Sequence, residues 1–185
     1  MARNVKIDSA QDVVAFLKSQ HEEIKGLFTQ VSGARGEQRK EIFTDLRRLL
    51  AVHETAEEEI VHPRAKSELE DGDAVVSVRL AEEREAKQVL AELEKLDVDS
   101  PEFEAMFSSF RADVIAHAEA EEEEEFSKLA AELDETQLRR LRKAAELAEK
   151  TAPTHPHPGV ESRAANLAAG PFAAMLDRAK DLIAS

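Results

Sequence analysis

Apolar residues recur at three- and four-residue intervals along four long segments, and this period commits the chain to helices that each bury one face. The first segment, about Ala10 to Val31, carries Val14, Leu17, Ile24, Phe28 and Val31, with Ser9 as cap, Asp12 three residues on and Ser32-Gly33 as its stop. The second begins near Glu37 and carries Ile42, Leu46, Leu49 and Ile60, until Pro63 kinks or ends it and Asp71-Gly72 closes the segment. The third covers about Asp73 to Leu96, with Val75, Val78, Ala86, Val89, Leu93 and Leu96 on one side. The fourth opens with Ser100 as cap and Pro101 at the first helical position, then runs through Phe103, Met106, Phe110 and Val114 to about Glu132. A shorter fifth helix is expected from Asp134, whose partner Gln137 completes a capping-box pattern, to about Lys150. Short turns between four long helices predict an all-α fold, an up-down-up-down four-helix bundle with short additional C-terminal helices.

The bundle is expected to occupy residues 1–150. Three prolines in the run Thr151 to Gly159 forbid regular helix, so residues 151–162 read as a Pro/His-rich linker. Residues 163–185 read as a helical appendage broken at Gly170-Pro171, with Phe172, Met175, Leu176, Leu182 and Ile183 available to dock on the bundle or on a second copy. The expected state is a monomer or a homodimer.

Composition narrows the chemistry. The 185 residues suffice to bury a core, and with no cysteine any metal must be held by nitrogen and oxygen, which excludes zinc fingers and iron-sulfur clusters. The 39 acidic residues against 25 basic give a net charge of -14, which repels phosphate backbones and argues against a nucleic-acid partner. No stretch approaches the roughly 18 to 20 apolar residues of a membrane span, and Met1 to Ser9 lacks the apolar centre of a secretory signal, so a cytoplasmic location without membrane attachment is expected.

Histidines interrupt the inward stripes. His21 stands where an apolar residue belongs in the row Val14, Leu17, Ile24, Phe28. On the second helix the row Ile42, Leu46, Leu49 continues into His53 and Glu57, and four helical residues turn through about 400°, so this pair shares one face. On the fourth, Phe103, Met106, Phe110 and Val114 continue into His117 and Glu121, the same step. A carboxylate buried without a partner costs several kcal/mol, so two inward glutamates require a cation beside them, an arginine or a metal. Three imidazoles and two carboxylates fit a dinuclear site in which each carboxylate can bridge, with iron or manganese the best match. Glu122, Glu123 and Glu125 belong to the same run of glutamates as Glu121 and are expected on a solvated face.

These residues resemble the hemerythrin-like, or HHE cation-binding, family, whose pattern is a histidine on the first helix, HxxxE on the second, a histidine on the third and HxxxE on the fourth. The resemblance covers about Asp12 to Leu129. It implies two non-haem iron ions, with manganese second, His21, His53 and His117 as terminal ligands and Glu57 and Glu121 as bridges. The third helix departs from it, reading Leu80-Ala81-Glu82-Glu83-Arg84-Glu85 with no histidine. Helix geometry puts Glu82 on the stripe with Val78, Ala86 and Val89, while the register of the downstream leucines puts Glu83 at the ligand position. Either carboxylate could replace the nitrogen, or Arg84 could pair with a core glutamate, although the helical wheel turns Arg84 to solvent.

An added carboxylate favours the oxidised pair, so catalase-like turnover of hydrogen peroxide, or reaction with oxygen, is expected over reversible oxygen carriage, with nitric oxide a further small ligand and oxidative stress the setting. A non-enzymatic protein that binds oxygen or another gas, or buffers iron, would use the same ligands. A helical scaffold with a degenerate site is the third alternative. His62 lies nine residues after His53, the opposite face of a continuous helix, and is expected to be structural. His155 and His157 lie in the linker and are not expected to be core ligands.

Overall fold

The computed structural model describes residues 12–150 and Ala152, so the expected cap Ser9, the linker apart from Ala152 and the whole appendage lie outside the described residues. Helix α1 (Val13–Gly33) is capped by Asp12, whose side chain accepts from the Ala15 N–H. Helix α2 (Gly36–Ala56) passes through a π turn (Glu57–Val61) directly into α3 (His62–Glu68), and α4 (Gly72–Leu93) returns. Helix α5 (Pro101–Glu121) repeats this device, passing through a second π turn (Glu122–Phe126) into α6 (Ser127–Glu132), and α7 (Glu135–Glu149) completes five antiparallel rods.

The expected caps at Ser100 and Asp134 are present, and Asp134 with Gln137 forms the capping box. Of the two expectations for Pro63, a kink or an end, the end does not occur, because the rod continues through Glu68. The His62 N–H bonds the Glu57 carbonyl five residues back, so the chain is already in π register where the missing proline N–H falls. Gly72 then lets α4 press against α3, because a Cβ there would lie 2.4 Å from the Ala65 carbonyl oxygen.

Two apolar clusters fill the bundle. Phe28, Phe43, Phe103, Phe107 and Phe110 dominate one end, joined by Ile24, Leu46, Leu90 and Leu93. Val13, Phe16, Leu17, Ile60, Val61, Phe126 and Leu129 fill the other, where α7 lays Leu138, Leu141, Ala144, Ala145 and Ala148 across them. The alanines allow α7 to approach α1 and α2 closely, and Arg142 stacks over the Phe16 ring at 4.8 Å. Along α1, α2 and α5 the buried histidines and glutamates fall between the two clusters, so the polar residues form a layer with apolar packing on both sides.

Helix α4 buries Val76, Arg79, Glu83, Leu90 and Leu93 and leaves Val78 49 % exposed, which corrects the expected stripe. Its inward face carries two charges, so an apolar period selects a line displaced from the true one. Among the described residues no helix is long and apolar enough to cross a membrane.

Candidate metal centre

Four residues per step put Glu57 beneath His53 and Glu121 beneath His117, and α1 delivers His21 between them. His21 and His53 are 2 % and 4 % exposed, and Glu57 and Glu121 are fully buried. His21 Nε2 and His53 Nε2 face each other at 3.0 Å. Two imidazoles on adjacent positions of one metal, each about 2.1 Å away, stand at about this separation. His53 Nε2 lies 3.3 Å from Glu57 Oε1, His21 Nε2 3.5 Å from Glu121 Oε2 and His117 Nε2 3.2 Å from Glu121 Oε1.

The ligating atoms of His21, His53, Glu57 and Glu121 lie within 4.8 Å of one another, and so do those of Glu57, Glu83, His117 and Glu121. The two groups share both glutamates. The contacts of Glu57 and Glu121 with the three histidines are charge proximities and not hydrogen bonds: both oxygens of Glu57 and of Glu121, Glu83 Oε2 and His117 Nε2 are buried without a hydrogen bond in the protein. Orphaned oxygens converging with imidazole nitrogens are what a pair of divalent cations would satisfy, so the residues present fit the group.

Each histidine is also held from behind. Its Nδ1 meets Glu122 Oε1 at 2.9 Å in His21, Gln20 Oε1 at 2.8 Å in His53 and Glu82 Oε2 at 2.8 Å in His117. Such outer partners fix the tautomer with Nδ1–H donating outward and Nε2 free to bind inward. Gln20 in turn donates from Nε2 to Glu149 Oε1 at 2.7 Å, so the fifth rod braces His53.

The two α4 alternatives therefore separate. Glu83 is 1 % exposed and stands inside the second group, whereas Glu82 is half-buried and orients His117 while pairing with Arg79 at 3.1 Å. Arg84 is exposed, as the helical wheel places it. His62 and Glu125 correct two expectations. Both are buried, His62 at 2 % exposure and Glu125 fully, and His62 bridges them to α4, with Nε2 2.6 Å from Glu83 Oε1 and Nδ1 2.9 Å from Glu125 Oε1. A π turn holds one residue more than an α turn and so sets everything beyond it back by about 100°, which brings His62 from the far side of α2 onto the core face.

Crowded carboxylates distort proton affinity. Burial, followed by repulsion from Glu121, Glu83 and Glu125, pushes Glu57 well above the usual carboxylate range. Burial raises Glu83 to about 7 against the hydrogen bond from His62, and Glu54 to about 8 against the pull of Lys87. Burial works against Glu121 too, but His117 and His21 hold it below the usual range. Burial opposes charge on His117 and His62, yet their glutamate partners outweigh it and lift His117 to about 9 and His62 well above its ordinary value. His53 falls well below its own, through burial and the neighbouring His21.

A group raised in the folded chain stabilises the metal-free fold below its unfolded pKa, and that contribution fades as pH rises through the folded value. The loss runs from 4.5 to about 7 for Glu83, from 4.5 to about 8 for Glu54 and from 6.5 to about 9 for His117, so Glu54 and His117 carry it above neutrality. His53 acts in the opposite sense only below its ordinary value of 6.5. Denaturant midpoints of chelator-treated protein are expected to fall between about pH 6.5 and 9, while metal affinity, which needs deprotonated ligands, rises over the same window. Midpoints that climb across it would contradict this assignment.

A cavity of about 300 Å³ adjoins the layer, lined by His21, His53, Glu57, Glu83 and His117 and by the apolar Ile24, Leu50, Val89, Phe110 and Val114. It has room for a small molecule at the cluster, and Lys25, Glu54, Glu82, Glu85 and Asp113 complete its lining.

The sequence matches the hemerythrin HHE cation binding domain over residues 12–129. The crystal structure of a hemerythrin HHE cation binding domain-containing protein from Mycobacterium kansasii superimposes with a TM-score of 0.64 at 23% identity, covering 91% of this chain and 99% of that one. At that identity the likeness shows the fold. A DNA nickase from Nostoc sp. is 27% identical over 128 residues, 69% of this chain and 35% of the relative, so the chain spans about a third of that protein's length.

Proposed function

The chain belongs to the hemerythrin HHE cation-binding family, and on that premise we propose that it holds a carboxylate-bridged pair of non-haem iron ions and turns over hydrogen peroxide, with oxygen and nitric oxide as further small reactants. His21, His53 and His117 would be terminal ligands, Glu57 and Glu121 the bridges and Glu83 the carboxylate in place of the α4 histidine. The observation that carries this reading is the membership of Glu57 and Glu121 in both ligand groups. Iron bound there supplies one-electron changes at each metal, the chemistry by which two molecules of hydrogen peroxide become two of water and one of oxygen.

The surrounding residues suit that substrate. Ile24, Leu50, Val89, Phe110 and Val114 give the cavity apolar lining that suits a small neutral molecule, and Glu54, Glu82, Glu85 and Asp113 beside Lys25 disfavour a phosphorylated metabolite. The outer contacts of Glu122, Gln20 and Glu82 keep each imidazole facing the cluster through the cycle. The nickase similarity supports no nucleic-acid role here, since it covers a third of that protein and this chain carries a charge of -14.

Oxygen release from hydrogen peroxide by iron-reconstituted protein tests the reading. Release well above that of the same free iron concentration is expected. Two bound irons with no peroxide turnover would sink the catalytic form and leave a gas-binding or iron-buffering protein.

A further inference from the structure

We propose that His62 is itself a ligand of this centre, its Nε2 supplying the second metal with the nitrogen that α4 lacks while Glu125 holds its Nδ1. The inference rests on the metal-pair reading above. Its first support is a shared pattern. In His21, His53 and His117, Nδ1 is held from behind by Glu122, Gln20 or Glu82, and Nε2 points into the cluster. His62 repeats this arrangement, with Nδ1 on Glu125 at 2.9 Å and Nε2 turned to Glu83, a member of the second group, at 2.6 Å.

The second support is the state of the oxygens around it. His62 reaches only one oxygen of each glutamate, and Glu83 Oε2 and Glu125 Oε2 are buried with no hydrogen-bond partner, so each carboxylate keeps an oxygen that a cation would satisfy. The ligating atoms of His62, Glu121 and Glu125 also lie within 4.8 Å of one another, and Glu121 belongs to both other groups. His62 is thus continuous with the cluster and not a separate contact beside it.

The third support is the backbone. Both rods that carry an HxxxE pair depart from α geometry at its end, at Glu57–Val61, which includes the pair's glutamate, and at Glu122–Phe126, directly after it. Single π turns are rare and concentrate at functional sites. The first of them is what brings His62 inward. Donor chemistry supplies the motive: the His21–His53 group has two nitrogens, the Glu83–His117 group only one, and His62 evens them.

Stepwise Mn(II) titration of the chelator-treated full chain tests this on the wild type, His62→Gln and Glu125→Gln. Two equivalents are expected for the wild type. His62→Gln should keep the first near wild-type affinity and weaken the second by at least about 10–100-fold, with Glu125→Gln weakening the same equivalent. His62→Gln binding two ions with unchanged affinity would overturn the proposal. An anomalous-scattering crystal structure of the Mn-loaded wild type decides the matter without a variant: a bond from His62 Nε2 to manganese is expected, and His62 still hydrogen-bonded to Glu83 and Glu125 would overturn it. A wild type that takes up no metal would overturn the parent reading, and this one with it.

Discussion

Glu57→Gln is expected to lose the metal pair and yet be more stable than the wild type when both are metal-free. Glu57 is fully buried, its two oxygens have no hydrogen-bond partner, and Glu121, Glu83 and Glu125 repel its charge. An amide of the same shape removes that charge, which should return roughly 1–3 kcal/mol to the metal-free fold at pH 8. The same change deletes a carboxylate common to both ligand groups. Affinity at both positions should fall by more than the roughly 10–100-fold that losing an outer partner costs. Denaturant unfolding of chelator-treated proteins and metal titration read the two effects separately. A variant that is less stable without metal, or that keeps both ions, would show that Glu57 is a packing residue.

Metal itself should produce the second large effect. Buried glutamates that repel one another without a cation would become its ligands, and binding to the folded chain would then stabilise it through mass action. At free metal about 1,000-fold above the dissociation constant, the gain is about 4 kcal/mol. For a chain of this length each kcal/mol moves the melting temperature by about 2–4 °C, so loading should raise it by roughly 8–16 °C. Thermal unfolding with and without added Fe(II) under anaerobic conditions checks the shift, and addition of a chelator should reverse it. Equal melting temperatures would mean that the cluster holds no metal in solution.

Much of this was legible in the sequence because helical period and caps are local. Asp134 with Gln137, Ser100 with Pro101, and the HxxxE steps all follow from spacing alone. Spacing also placed His21, His53 and His117 on inward stripes, since a histidine in an apolar row has nowhere else to point. The failures at His62 and Glu125 share one cause, a register that changes within a rod. A constant 100° per residue sends His62 to solvent, and a run of glutamates hides Glu125 among exposed neighbours, whereas the π turns bring both inside. A signal was present: Phe126, Leu129 and Leu133 run one residue out of step with Phe103, Phe107, Phe110 and Val114. On α4 the difficulty was chemical. Arg79 and Glu83 occupy the buried face, so the apolar row that selected Glu82 was not the inward one.

Iron per chain, measured together with EPR on the air-oxidised, iron-reconstituted protein, addresses the carboxylate-bridged pair most directly. Two irons joined through Glu57 and Glu121 are predicted to couple, giving about two iron equivalents without the signal of isolated high-spin ferric ions. One equivalent or less, or two equivalents carrying the full isolated-ion signal, would contradict a shared carboxylate bridge and reduce the cluster to a mononuclear or degenerate site.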